Sequence, residues 1–359
     1  MSSYIEYNDK IAFHPGYYIN EIVEESGLTQ EDFAKRLDTT PKNISKLING
    51  EQNLSRDMAL KLSRMMGTSV EYWLNFQKKY DALLAEFDSD KELNEERAVF
   101  RLINYVYFKK YFGLPDLPRK VDEQIKAVRE FLNVASLTVL KNRDLAVNFR
   151  RYSAEPSISN VINSNVMVQI SINKAIQVDA PKFNKKKFSE AVDFALSLTD
   201  KHGEFFPLIK DAFYESGVIF VVLPNLDNSG INGATKKVGN NIMLMVNDRR
   251  AYSDTFWFTL FHEIGHIING DYGITYENEN EGKEDAADLY AQRTLIPQDK
   301  YEKFVEKDSF TEKSIREFAD VISRDPGIVL GRLQNDGYVS YKNARLSGAL
   351  RHKYQVHVK

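Results

Sequence analysis

At 359 residues the chain is long for one domain of about 150 residues, and 43% hydrophobic with 28% charged residues is a globular balance that excludes disordered and membrane classes. No uninterrupted apolar stretch approaches the roughly 20 residues that span a bilayer, and the start, MSSYIEYNDK, lacks the basic-then-apolar order of a secretion signal, so a cytoplasmic protein without a membrane partner is expected. There is no cysteine, so a transition metal would have to be held by nitrogen and oxygen, and a net charge of -3 leaves any nucleic-acid binding to local charge placement.

The first eighty residues break into short amphipathic helices. Thr29 is suited to cap a helix, with Asp32 three residues on and Phe33, Ala34 and Leu37 forming its apolar face. After a turn at Asp38 and Thr39, Thr40 caps a second helix with Pro41 at its first position, running to Asn49 before Gly50. Ser55 opens a third, with Met58, Ala59, Leu62 and Met65 at helical spacing, and Val70 to Phe76 supplies a last one.

This register, with the T-Q-E-x-x-A-x-x-L run from Thr29 and the I-S-K-x-I-N-G ending, resembles the lambda-repressor-like helix-turn-helix of Xre regulators over residues 12 to 77. The HPG at His14 to Gly16 resembles the start of HigA-type antitoxins. The resemblance implies a five-helix DNA-binding domain whose second motif helix enters the major groove, bringing Thr40, Lys42, Asn43 and Lys46 to base edges and Gln30 to a phosphate. From residue 12 to 80 there are nine basic and nine acidic residues, so binding to double-stranded operator DNA requires basic side chains gathered on one face and two copies on paired half-sites, a homodimer. The competing reading is a small helical dimerisation module.

Beyond this, a charged run, DSDKELNEER, leads to LPDLP at 114 to 118, a natural boundary. Ile125, Val128, Phe131 and Leu132 recur at helical spacing, and the chain reads as mostly helical to about 213. NKKK at 184 to 187 is expected to be a solvated face. After Gly217 the period changes: VIFVVLP and NIMLMV read as strands, with a third starting at NGAT, and a meander is the simplest topology.

TFWFTLFHEIGHIINGD follows at 255 to 271. On one helix, Phe256, Leu260, Ile264 and Ile267 face a core while His262 and His266, at i and i+4, project side by side, the spacing at which two imidazoles reach one ion about 2 Å away. Glu263 then lies beside the ion without being needed as a ligand, placed to act as general base toward an attacking water. Eighteen residues after His266, EDAADLYAQRTLIP reads as a second helix with Ala287, Ala291 and Leu295 on its apolar face and Pro297 ending it. Glu284 and Asp288 sit one turn apart on it, Glu284 as third ligand and Asp288 as acceptor of a ligand histidine's ring N–H. The bland alternative, two core histidines on an amphipathic helix, leaves costly uncoordinated imidazoles in an apolar setting.

FTLFHEIGH and EDAADLYAQRTLIP, with Tyr290 where a phenylalanine is usual, resemble the ImmA/IrrE family of metallo-endopeptidases, most closely over 213 to 297. The resemblance implies a zincin-like α+β domain, Zn2+ held by His262, His266 and Glu284, Glu263 as catalytic base, and a protein substrate. Tyr272, Tyr276 and Tyr290 are all candidates to stabilise the oxyanion. Two further helices are expected about the DPG turn at 325 to 327, then a basic tail containing Lys342, Arg345, Arg351, Lys353 and Lys359.

The expected whole is mainly α with a small β-sheet: a helix-turn-helix domain over 1–77, a helical linker over 78–118, a helical middle region over 119–212, the peptidase domain over 213–300 and a helical cap over 301–359. The expected function is a DNA-binding transcription regulator whose zinc endopeptidase cleaves a repressor or antitoxin-like protein on a stress or mobile-element signal. The alternative is a HigA-like antitoxin or regulator whose zinc site is structural or sensory.

Overall fold

The computed structural model describes residues 4–142, 157–249, 251–272 and 280–354, with the backbone alone at 280 and 281. The chain divides into two compact units, Met1–Glu95 and Glu96–Lys359.

The first unit opens with a hairpin, β1 (Tyr4–Tyr7) against β2 (Lys10–Phe13), that the sequence reading did not anticipate. Asn8 and Asp9 form its two-residue turn with φ of 47° and 61°, the left-handed geometry that matches strand twist. Helices α1 (Pro15–Ser26), α2 (Gln30–Arg36), α3 (Pro41–Ile48), α4 (Arg56–Met66) and α5 (Val70–Phe100) follow. Thr29, Thr40 and Ser55 cap α2, α3 and α4 through their hydroxyls. Ile19, Phe33, Leu37, Ile44, Leu47, Leu62 and Trp73 close one core beneath them. The helix expected to end at Phe76 continues to Phe100, because no glycine or proline interrupts 70 to 100 and the charged run is built of good helix formers.

The second unit continues with α6 (Tyr105–Phe112), α7 (Val121–Leu132), a 3-10 turn at Leu137–Lys141, α8 (Ile158–Ile176), α9 (Lys185–Leu196) and α10 (Phe205–Glu215). Then come β3 (Val218–Leu223), β4 (Gly233–Val238) and β5 (Asn241–Asn247), followed by α11 (Ser253–Asn269), α12 (Asn280–Leu295), α13 (Gln298–Val305), α14 (Glu312–Ile322), α15 (Pro326–Asn335) and α16 (Ala344–Leu350). The sheet corrects the expected meander. Its order is β3-β5-β4, with β3 parallel and β4 antiparallel to β5. Composition explains this: β5 is almost wholly buried and apolar and takes the centre, whereas β4, GATKKV, carries two lysines and takes an edge.

A single large core, including Phe213, Phe220, Leu244, Trp257, Leu260, Ile264, Leu295 and Leu330, joins the sheet to α9–α15. Glu96, buried, accepts from Arg129 Nη1 at 2.9 Å and from the Leu137 amide at 2.7 Å. Among the described residues no helix is long and apolar enough to cross a membrane.

Candidate metal centre and nucleic-acid interface

α11 is buried on nearly every side: Phe256, Trp257, Leu260, Phe261, Ile264 and Ile267 enter the core, and His262, Glu263 and His266 are buried with them. Against its inner face runs α12, whose Ala287, Ala291 and Leu295 are buried. The approach depends on Gly265, where a Cβ would stand 3.0 Å from Ala287 Cα. That closeness carries Glu284 to the two histidines.

His262 Nε2 and His266 Nε2 lie 3.2 Å apart, and each is 3.3 Å from a Glu284 oxygen. Both Glu284 oxygens and His266 Nδ1 are buried without a directed hydrogen bond. A tetrahedral ion bound at about 2.0–2.1 Å sets its ligand atoms about 3.3 Å apart, so this donor set fits zinc. Burial pushes the Glu284 carboxyl up, but the His262 and His266 imidazoles 3.3 Å from its oxygens outweigh it and hold it at about 2, the ionised form a cation requires. Asp288 Oδ1 is 2.7 Å from His262 Nδ1, an arrangement that fixes the ring and leaves Nε2 for the ion.

The Glu263 carboxyl lies against β4. Its Oε2 accepts from the Thr235 hydroxyl at 2.7 Å, and a Cβ on Gly233 would meet its carboxyl at 2.7 Å. Thr235 and Gly233 were not singled out from the sequence. The strand order that brings β4 to α11 is not readable from the sequence.

Of the tyrosines proposed for the oxyanion, Tyr272 packs on Phe183 with ring centroids 5.9 Å apart, and the Tyr290 hydroxyl bonds Thr294. Tyr276 lies outside the described residues, as does Lys359 of the basic tail. Arg351 is turned inward, its guanidinium donating to Asp254 at 2.7 Å and to Gln334 at 2.8 Å.

In the first unit, Gln30, Thr40, Lys42 and Lys46 are exposed. The remaining expected base reader, Asn43, is half-buried and bonded at both ends: its amide nitrogen donates to Thr39 at 2.9 Å and its oxygen accepts from Gln52 at 2.6 Å. The Thr40 hydroxyl is used on the Asn43 amide. Lys35 pairs with Glu31 and Lys61 with Asp57 and Asp38, whereas no carboxylate pairs with Lys42 or Lys46 among the described residues. The overall charge balance therefore hides an unneutralised strip along α3. Beneath it, His14 caps α1, and a Cβ on Gly16 would run into the Leu47 carbonyl, so the HPG turn is wedged against the end of α3.

Fold and site together define a DNA-binding helix-turn-helix module and a metallopeptidase-type domain in one chain. The Helix-turn-helix family pattern matches residues 19–73, and that of the IrrE N-terminal-like domain, in the M78 peptidase family, matches residues 219–322. Virulence-associated protein I of Dichelobacter nodosus is 34% identical over 82 residues, 23% of this chain and 76% of its own length. The HTH-type transcriptional regulator YddM of Escherichia coli is 35% identical over 79 residues, 21% of this chain and 84% of its own. A solved addiction module antidote protein of a HigA family from Coxiella burnetii shares 29% identity, covering 23% of this chain and 92% of its own, with a TM-score of 0.22. The chain belongs to the HTH-type regulators, and its second half carries an IrrE N-terminal-like domain.

Proposed function

We propose that this protein is a cytoplasmic, operator-binding regulator and an active zinc endopeptidase that cleaves a repressor or antitoxin-like protein on a stress or mobile-element signal. The observation that carries the reading is the convergence of His262, His266 and Glu284 at 3.2–3.3 Å, with Glu263 following His262 on α11 and its carboxylate bonded to Thr235.

A zinc ion held there would polarise the scissile carbonyl and lower the pKa of the attacking water toward about 7. Glu263 takes the proton from that water and delivers it to the leaving nitrogen, while Thr235 fixes the carboxylate's orientation. Asp288 holds His262 in its ligating tautomer. Thr259, one turn before Glu263, and Asn232, just before Gly233, line a cavity of about 180 Å³ with Phe258 and Gln292, which supplies a recess for a substrate side chain. On the DNA side, Lys42, Lys46 and Gln30 contact the duplex, Thr40 and Asn43 set the start of α3 at the base edges, and a homodimer spans two half-sites.

The test compares wild type with Glu263→Gln in the cell that carries the gene, labelling newly formed protein N-termini after stress. The active reading expects at least one cleavage present in wild type and absent in the variant, with zinc and DNA binding equal in both. Identical sets of N-termini would leave a regulator whose metal site holds structure or senses metal.

A further inference from the structure

The second unit brings together another set of metal-ligating side chains, from three segments far apart in sequence. His202 lies in the loop before α10, Asp325 at the N-cap of α15, and His352 in the tail beyond α16. His202 Nε2 is 3.0 Å and His352 Nε2 3.8 Å from Asp325 Oδ2, and the three atoms lie within 4.8 Å of one another. These separations bracket the roughly 3.3 Å between neighbouring ligands of a tetrahedral ion.

Asp325 is fully buried. Its Oδ1 accepts from the Ser253 hydroxyl at 3.3 Å, but Oδ2, the oxygen aimed at the imidazoles, receives no directed hydrogen bond. A buried carboxylate oxygen left without a donor or cation is costly. Burial accordingly pushes the Asp325 carboxyl up to about 6, with His352 opposing the rise. Burial together with His352 lowers His202, favouring the neutral imidazole that can ligate.

The surroundings suit a ligand histidine. His202 Nδ1 is 2.8 Å from the Tyr354 hydroxyl, whose oxygen is also 3.3 Å from the Trp257 indole nitrogen, a donor only. With Nδ1–H donated to that oxygen, Nε2 keeps its lone pair for an ion. The opposite tautomer would direct Nε2–H at Asp325, and no such bond is made across the 3.0 Å gap. The His202 and His352 rings stack at 3.7 Å, and His352 is half exposed.

We propose that His202, Asp325 and His352 form a second divalent-metal site, for zinc or a similar borderline cation, that clips the C-terminal tail to α15 and to the loop before α10. Two imidazoles and one carboxylate are the donor set such ions prefer, with solvent completing the shell. The tail already lies in place for this. The Ser253 amide donates to the His352 carbonyl, and Tyr252 forms a β-bridge with Lys353, both immediately before or at the start of the helix that carries His262 and His266.

Zinc per chain, measured by native mass spectrometry after equilibration with micromolar free zinc, tests this. Wild type should hold two ions, and His262→Ala/His266→Ala one. Adding His352→Ala, or separately Asp325→Asn, which keeps the shape of the side chain, should remove the last. A zinc-dependent rise in Tm should accompany the remaining ion in the double variant and vanish with it. If the double variant folds by circular dichroism yet holds no zinc, or if its ion survives both His352→Ala and Asp325→Asn, the proposal is overturned. Should the first site itself bind nothing, wild type would hold a single ion lost with His352→Ala, so the two readings fail separately.

Discussion

Gly233 and Glu263 are fitted to each other: a Cβ at residue 233 would stand 2.7 Å from both Cγ and Oε1 of Glu263. The obstacle is a buried side chain from its Cγ to its carboxyl, bonded to Thr235, so the carboxyl must shift and weaken that bond at some cost to stability. Gly233→Ala should therefore displace the base while leaving the ligands alone. Zinc content should match wild type while Tm falls, and the cleavage lost in Glu263→Gln should fall by about 10²-fold, the lower end of what a general base commonly contributes. Wild-type turnover in Gly233→Ala would mean that the carboxyl's position against β4 does not matter to the reaction.

The donor set makes a graded prediction for metal binding. His262→Ala, His266→Ala and Glu284→Ala each remove an atom from the 3.2–3.3 Å trio and should each abolish tight binding at that centre. Asp288→Asn leaves the trio intact and alters only the partner 2.7 Å from His262 Nδ1, so affinity should drop about 10- to 100-fold. Zinc titration calorimetry in a His352→Ala background isolates this centre. If Asp288→Asn costs as much as Glu284→Ala, the division between ligand and orienting partner is wrong.

The helical part of the site was legible because its geometry is local: H-E-x-x-H and E-x-x-x-D each place their side chains by helix period alone, and alanines mark the face where α12 packs. What β4 contributes was not legible. Thr235 and Gly233 reach Glu263 only because β4 pairs with β5 and not with β3, a long-range choice that two apolar runs and the NGAT start between them do not announce. The N-terminal caps at Thr29, Thr40 and Ser55 were readable for the same local reason. The bond from Gln52, nine residues on, to the Asn43 side chain was not legible, a pairing no helical period encodes.

That tie separates two effects on DNA binding. Lys46, exposed and without a carboxylate partner, should act through phosphate: Lys46→Ala should weaken binding to all sequences alike and reduce the salt slope by about 1. Gln52→Ala should act through Asn43, freeing its carboxamide oxygen and loosening the start of α3. It should change preference among operator variants and leave the salt slope intact, and Asn43→Ala should reproduce it without adding to it in the double variant. Additive losses from Asn43→Ala and Gln52→Ala would show that the two side chains reach DNA independently.

The last prediction concerns how α11 and α12 hold the ligands in register. A Cβ on Gly265 would lie 3.0 Å from Ala287 Cα and 3.2 Å from the Ala287 carbonyl oxygen, and both obstacles are backbone. Gly265→Ala must therefore move one helix relative to the other. Overpacking of this kind commonly costs about 1–3 kcal/mol. The displaced helix also carries Glu284, less than one turn before Ala287, so the carboxylate should draw away from His262 and His266 while all three ligands remain present. Gly348→Ala, at an exposed position on α16 where a Cβ meets nothing within 4 Å, is the matched control and should raise stability by about 0.5–1 kcal/mol. Melting curves with and without zinc should show Gly265→Ala losing both Tm and most of the zinc-induced stabilisation at this centre, whereas Gly348→Ala keeps both. If Gly265→Ala lowers Tm but binds zinc as tightly as wild type, Glu284 follows the histidines through side-chain adjustment, and the close approach of the two helices serves packing alone.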